Sequence, residues 1–129
     1  MEVSKIMRKA IIIDDHISVK EAAKIMSRKD VGSLIVVKDD AIKGIITERD
    51  VMKNLSRLDL EVRKVMSTRV VTIKGEASLE KAAGIFTSRK IKRLPVVKDK
   101  KLVGVVTMTD VLAHSSPGSV SVGEDFFFN

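Results

Sequence analysis

Apolar residues along this chain change their spacing in a fixed order, and the order runs twice. A continuous apolar run at residues 10–13 is followed by Ala22, Ala23, Ile25 and Met26, a spacing that puts one face of a helix on a core. Two further runs, 33–37 and 42–47, read as strands joined by the tight turn Asp39-Asp40. A short helix is predicted after Thr47, over 48–55. The succession then returns: a run at 70–73, a stripe of Ala82, Ala83, Ile85 and Phe86, strands at 93–97 and 102–107 about Asp99-Lys100, and a helix at 108–114. Ser18 and Glu21 have capping-box spacing and start the first long helix. Ser78 can cap the second, but Lys81 cannot complete that box.

The recurrence is also one of residues. Positions 18–52 align with 78–112 without a gap at an offset of 60, with 13 of 35 identical. A repeat of this length is one supersecondary unit used twice. The expected fold class is therefore α/β, built of tandem β-α-β-β-α repeats. About 60 residues alone bury too little surface for independent stability, so the repeats are expected to fold as one module. Their strands are continuous Val/Ile runs, which need cover from helices or from the other copy. The expected organisation is a first repeat with lead-in and linker over 1–60, a second over 61–115, and a flexible tail over 116–129. Similar lead-ins stand at 3–7 and 62–66. The tail ends in Phe126-Phe127-Phe128 and reads either as a disordered end or as a docking arm.

Composition narrows the chemistry. Apolar residues make up 44% of the 129, with no Trp or Tyr and four Phe, so the core must be aliphatic. The absence of cysteine excludes a disulfide framework, a thiolate nucleophile and a cysteine-ligated metal. No run approaches the roughly 18 apolar residues of a membrane span, and the first residues lack a signal peptide's apolar stretch. A soluble cytoplasmic protein with no membrane association is expected. Charged residues reach 32% and glutamine is absent, a bias seen in thermophile proteins. The net charge of +7 points to an anionic partner, a nucleotide-sized ligand or a nucleic acid, or equally to a solvated lysine-rich surface.

The sharpest local signals are Gly44-Ile45-Ile46-Thr47-Glu48-Arg49-Asp50 and Gly104-Val105-Val106-Thr107-Met108-Thr109-Asp110. Thr-x-x-Asp is a capping box, and capping alone would account for both pairs. Each box, however, falls where a buried strand leaves the sheet and a helix begins, a place suited to anions and to ligands of α/β folds. A short carboxylate there can accept from both hydroxyls of a ribose, at about 1.5–3 kcal/mol per charged hydrogen bond. Threonine hydroxyls and the planar fork of Arg49 suit a phosphate.

Two copies of β-α-β-β-α, each closing with Gly-h-h-Thr-x-x-Asp (h, hydrophobic), resemble a cystathionine-β-synthase-type (CBS) domain pair, or Bateman module. The stretches Arg93-Leu94-Pro95-Val96-Val97 and Gly32-Ser33-Leu34-Ile35-Val36-Val37 add to the likeness, which covers about residues 3–114. The resemblance implies a pseudo-twofold disc with two clefts between the repeats that take adenosyl compounds: AMP, ADP, ATP, S-adenosylmethionine, sometimes NAD. It implies that Asp50 and Asp110 hold ribose, with Thr47, Thr107 and Thr109 near ribose and phosphate. It places Arg49, Lys92 and Arg93 by phosphate and Thr72 beside the base, with Val71 and Ile73 walling the pocket. Gly32 stands where the second repeat has Lys92, and Ile35 where it has Pro95, so unequal affinities are expected. The resemblance also implies a homodimer paired through helices.

The remaining candidates are weaker. Asp14-Asp15-His16 reads as a polar turn rather than a metal site, and His114 as a helix-ending residue. The six methionines fall mostly on apolar faces and read as core. No nucleophile–base set, Walker loop or Gly-x-Gly-x-x-Gly occurs, so no enzyme, no resident metal and no required cofactor is expected. The expected function is ligand sensing, with output through assembly or an effector protein. The alternative is a basic nucleic-acid binder, favoured by Arg89-Lys90-x-Lys92-Arg93 but opposed by the scarcity of aromatics for base stacking.

Overall fold

The structure, a computed structural model, describes residues 1–115; the Phe-rich tail lies outside the described residues. The elements follow in the order β1 (Ile12–Ile13), α1 (Val19–Lys29), β2 (Ser33–Lys38), β3 (Ala41–Thr47), α2 (Glu48–Lys53), β4 (Ile73–Lys74), α3 (Leu79–Arg89), β5 (Arg93–Lys98), β6 (Lys101–Thr107) and α4 (Met108–Ala113). Single 3-10 turns at Val3–Lys5 and Val62–Lys64 occupy the two lead-ins. The expected β-α-β-β-α order holds in both repeats.

Each repeat forms a three-stranded sheet, β1-β2-β3 or β4-β5-β6. The first pair in each is parallel and the second antiparallel. The tight turns take positive φ at both central residues: Asp39 (52°) and Asp40 (62°), Asp99 (50°) and Lys100 (66°). That is the geometry a two-residue hairpin needs to match strand twist. Ser18 and Ser78 cap α1 and α3 by accepting from the Glu21 and Lys81 N–H groups at 3.0 and 3.1 Å. Both helices end on a left-handed residue, Asp30 and Lys90.

The first strands are shorter than the apolar runs. In the first sheet the parallel ladder begins at Ile12 opposite Ile35, and the Ile35 N–H donates to the Ile11 carbonyl at 2.9 Å. The corresponding step, Thr72 opposite Pro95, is missing from the second sheet, whose ladder begins at Ile73 opposite Val96. Pro95 has no N–H to donate there, so Thr72 stays outside the strand and exposed.

Two compact units emerge, and they do not follow chain order. One comprises Met1–Lys9 together with the described residues from Thr72; the other is Ala10–Val71. Each unit thus carries the body of one repeat and the lead-in that precedes the other. In the second-repeat unit, the Val3 N–H donates to the Ala77 carbonyl at 2.9 Å. In the first-repeat unit, the Val62 N–H donates to the Ile17 carbonyl at 2.8 Å. Val3 and Val62 are both fully buried, a contribution of about 1.5–3 kcal/mol each. The core of the first-repeat unit gathers Ile13, Ala22, Met26, Leu34, Val36, Ile46 and Val62. In the other unit Ile73, Leu79, Ala82, Phe86, Leu94, Val96, Val106 and Val111 are buried.

Both motif glycines are explained within their own units. A Cβ on Gly44 would stand 2.5 Å from Met66 Sδ and 3.0 Å from the Ser67 carbonyl oxygen. One on Gly104 would stand 2.8 Å from Met7 Sδ and 2.9 Å from the Arg8 carbonyl oxygen. The lead-ins cross the strands here, each through a one-residue bridge: Ile45 with Ser67, and Arg8 with Val105.

Candidate functional site

The strand-to-helix junctions are built alike and finished differently. In the first repeat, the Asp50 N–H donates to Thr47 Oγ1 at 3.4 Å, and Asp50 Oδ2 accepts from the Thr47 N–H at 2.9 Å. This is the full capping box the sequence predicts. Among the described residues Asp50 has no ion pair. Its carboxylate serves the cap and remains half-buried.

In the second repeat only half of that box forms. The Asp110 N–H donates to Thr107 Oγ1 at 3.1 Å. The carboxylate turns instead to Arg8: Nε donates to Oδ2 at 2.7 Å and Nη2 to Oδ1 at 2.8 Å. This corrects the expectation of two equal capping boxes. The pair is lopsided, with 11% of the Asp110 side chain exposed against 67% of Arg8. The guanidinium holds the Asp110 carboxyl below its ordinary value, against the opposing effect of burial and with help from the Thr107 hydroxyl. A bidentate fork of this length is the strong form of such a contact.

Arg8 escaped the sequence reading for a physical reason. It lies 102 residues from Asp110 and outside the aligned repeat. Its counterpart at the other strand crossing is Ser67, so comparison of the copies gives no signal. Asn54 and His114 form a second matched pair, hidden by the difference in residue type. The Asn54 Nδ2 group donates to the Asp50 carbonyl at 2.7 Å, and His114 Nδ1 contacts the Asp110 carbonyl at 2.9 Å. They stand 60 apart in the sequence and tie down the same turn.

The other predicted residues fall around these junctions. Gly32 and Lys92 each offer a backbone carbonyl to the first N–H of the following short helix, Glu48 at 3.1 Å and Met108 at 2.8 Å. Arg49, Thr109 and the Lys92 side chain are exposed, whereas Thr47, Thr107 and Arg93 are half-buried. Arg93 opens β5 opposite Thr107. Pro95 is fully buried and offers only apolar surface. Ile73 is buried and Val71 half-buried.

A groove of about 460 Å³ opens along α1 and α2 in the first-repeat unit, lined by residues including Ala23, Met26, Val31, Gly32, Val51 and Met52. Of the predicted site residues only Gly32 reaches it. The Asp14, Asp15 and His16 ligand atoms lie within 4.8 Å of one another. His16 Nδ1 is engaged by Glu61 Oε2 at 2.8 Å, and Glu61 first, then Asp15, raises the His16 pKa. Among the described residues no helix is long and apolar enough to cross a membrane.

Comparison with known proteins fits this architecture. The family described as CBS domain matches residues 3–57 and again 62–116. The CBS domain-containing protein YhcV of Bacillus subtilis (strain 168) is 33% identical over 110 residues, covering 79% of each chain. The CBS domain pair of protein MJ0100, solved in complex with 5′-methylthioadenosine and S-adenosyl-L-methionine, superposes with a TM-score of 0.81 at 28% identity, covering 96% of this chain and 98% of that one. A hexameric CBS-CP12 protein from bloom-forming cyanobacteria gives a TM-score of 0.82 at 27% identity, covering 89% of this chain and 68% of that one. Three further curated relatives are longer, and the chain spans 34%, 21% and 51% of their lengths. The chain belongs to the CBS domain family and carries two of its domains.

Proposed function

We propose that this protein is a regulatory module that senses adenine nucleotides or adenosyl compounds, S-adenosylmethionine included, at the two strand-to-helix junctions bearing Asp50 and Asp110. What supports this most is a carboxylate at the third position of a short helix, repeated at an offset of 60 residues. Each is positioned by a threonine cap and can accept from two vicinal hydroxyls. The complex of MJ0100 with two adenosyl compounds lends weight to the ligand class. Thr47, Thr107 and Thr109 lie within a turn of these carboxylates. Arg49 and the pair Lys92-Arg93 supply cations for phosphate, and exposed Thr72, which Val71 and Ile73 flank in sequence, is available to the base. Gly32 and Pro95 shape the backbone beside them.

A sensor works by differential affinity for two states, so the chain needs no chemistry of its own. Self-association through the helices is part of the proposal, since Met52, which lines the α1–α2 groove, is 66% exposed. The output is a homodimer, an effector protein or both. The test is a calorimetric panel of AMP, ADP, ATP, S-adenosylmethionine and NADH on the purified protein, repeated on Asp50→Ala and Asp110→Ala. Each substitution is expected to remove one class of site. Parent-like binding by both variants would reduce the two carboxylates to helix caps.

A further inference from the structure

We infer that Arg8, by competing for the Asp110 carboxylate, makes that site selective for phosphorylated nucleosides over neutral ones, a competition that Asp50 does not meet among the described residues. The inference rests on the assignment of a ribose diol to Asp110. The Arg8 fork takes both carboxylate oxygens, at 2.7 and 2.8 Å. A diol that binds side-on needs the same two oxygens from the same side, so ligand and guanidinium exclude each other. The group that yields is Arg8, because its side chain is the exposed member of the pair.

The displaced guanidinium stays close. The Arg8 N–H donates to the Val105 carbonyl at 2.8 Å, and the Val105 N–H donates back at 2.9 Å, so the backbone is pinned to β6. A neutral nucleoside takes the carboxylate from Arg8 and offers no anion in return. A nucleotide brings a phosphate, which a guanidinium can grip with two parallel hydrogen bonds. The exchange of one bidentate anion for another leaves the phosphorylated ligand little penalised. At the first-repeat junction the lead-in presents Ser67 at the strand crossing, and among the described residues the Asp50 carboxylate is held by Thr47.

The experiment isolates the Asp110 site in an Asp50→Asn background, where the amide oxygen can still accept from the Thr47 N–H. Calorimetry of AMP and adenosine follows, with Arg8 intact, Arg8→Ala and Arg8→Lys. The backbone bridge does not depend on the side chain, and urea denaturation checks that each variant is folded. With Arg8 present, AMP is expected to bind at least roughly tenfold tighter than adenosine. Arg8→Ala should tighten adenosine by about 5- to 10-fold while leaving AMP unchanged or weaker. Arg8→Lys should fall between, since a point charge replaces the fork. A preference for AMP that is unchanged in Arg8→Ala, or weaker adenosine binding in that variant, overturns the inference while leaving nucleotide sensing intact. No binding of either ligand in any variant overturns the diol assignment at Asp110 and the filter with it.

Discussion

Replacing Gly104 by alanine tests the packing that brings Arg8 to Asp110. The added Cβ would meet Met7 Sδ at 2.8 Å, Met7 Cγ at 3.0 Å and the Arg8 carbonyl oxygen at 2.9 Å. A thioether can swing aside. The carbonyl cannot, because it accepts the Val105 N–H at 2.9 Å, and moving it lengthens that bond. Overpacking of this kind costs about 1–3 kcal/mol. The loss of glycine's freedom in the unfolded chain offsets about 0.4–1 kcal/mol. The expected net loss is about 1–2 kcal/mol, or roughly 5 °C in Tm for a chain of this size. Gly84→Ala is the control: it is the same chemical change on an exposed position of α3 with nothing within 4 Å. It should stabilise by roughly 0.5–1 kcal/mol through helix propensity. Urea denaturation with matched m-values reads both. A Gly104→Ala protein as stable as the parent would mean that the lead-in does not cross β6 so closely, and the anchor of Arg8 would be lost.

The remaining predictions address the caps and the ion pairs. Thr47→Ala should lower stability by about 1 kcal/mol through loss of the α2 cap, read by the same denaturation. Asp110 has a depressed carboxyl pKa, so its stabilising contribution is full above the ordinary value of 3.8 and declines as pH falls toward the folded value. The stability gap between parent and Asp110→Asn should therefore be widest near neutrality and close in acid, and in Arg8→Ala most of that gap should vanish at every pH. His16 should titrate by NMR above its ordinary 6.5, and Glu61→Gln should bring it back down. Its contribution is present below 6.5 and fades as pH rises through the raised value. Val62→Ala should destabilise by about 1–2 kcal/mol, although the side chain lies in a lead-in outside the aligned repeat.

Much of the fold was legible because the repeat states each feature twice. The stripes at Ala22–Met26 and Ala82–Phe86 marked the helix faces, although Ala83, expected on the core face, is exposed, and the paired turn residues marked both hairpins. The later start of the fourth strand was legible in principle: Pro95 in place of Ile35 removes one ladder donor, and the missing step falls opposite it. The exchange of lead-ins was not legible. Residues 3–7 and 62–66 look alike, and their similarity gives no sign of which repeat body each one covers. That gap hid Arg8, because an ion pair spanning 102 residues leaves no periodic trace. The arginines that do stand beside the motifs in sequence are Arg49 and Arg93.

The most direct test of the central claim alters the sugar rather than the protein. AMP and 2′-deoxy-AMP differ by one hydroxyl, the one that a charged acceptor would hold. If Asp50 and Asp110 grip the diol, calorimetry should show 2′-deoxy-AMP binding roughly 10- to 100-fold more weakly than AMP. The Asp50→Asn/Asp110→Asn protein should bind AMP no more tightly than the parent binds 2′-deoxy-AMP. Equal affinity of the parent for the two nucleotides would contradict the claim.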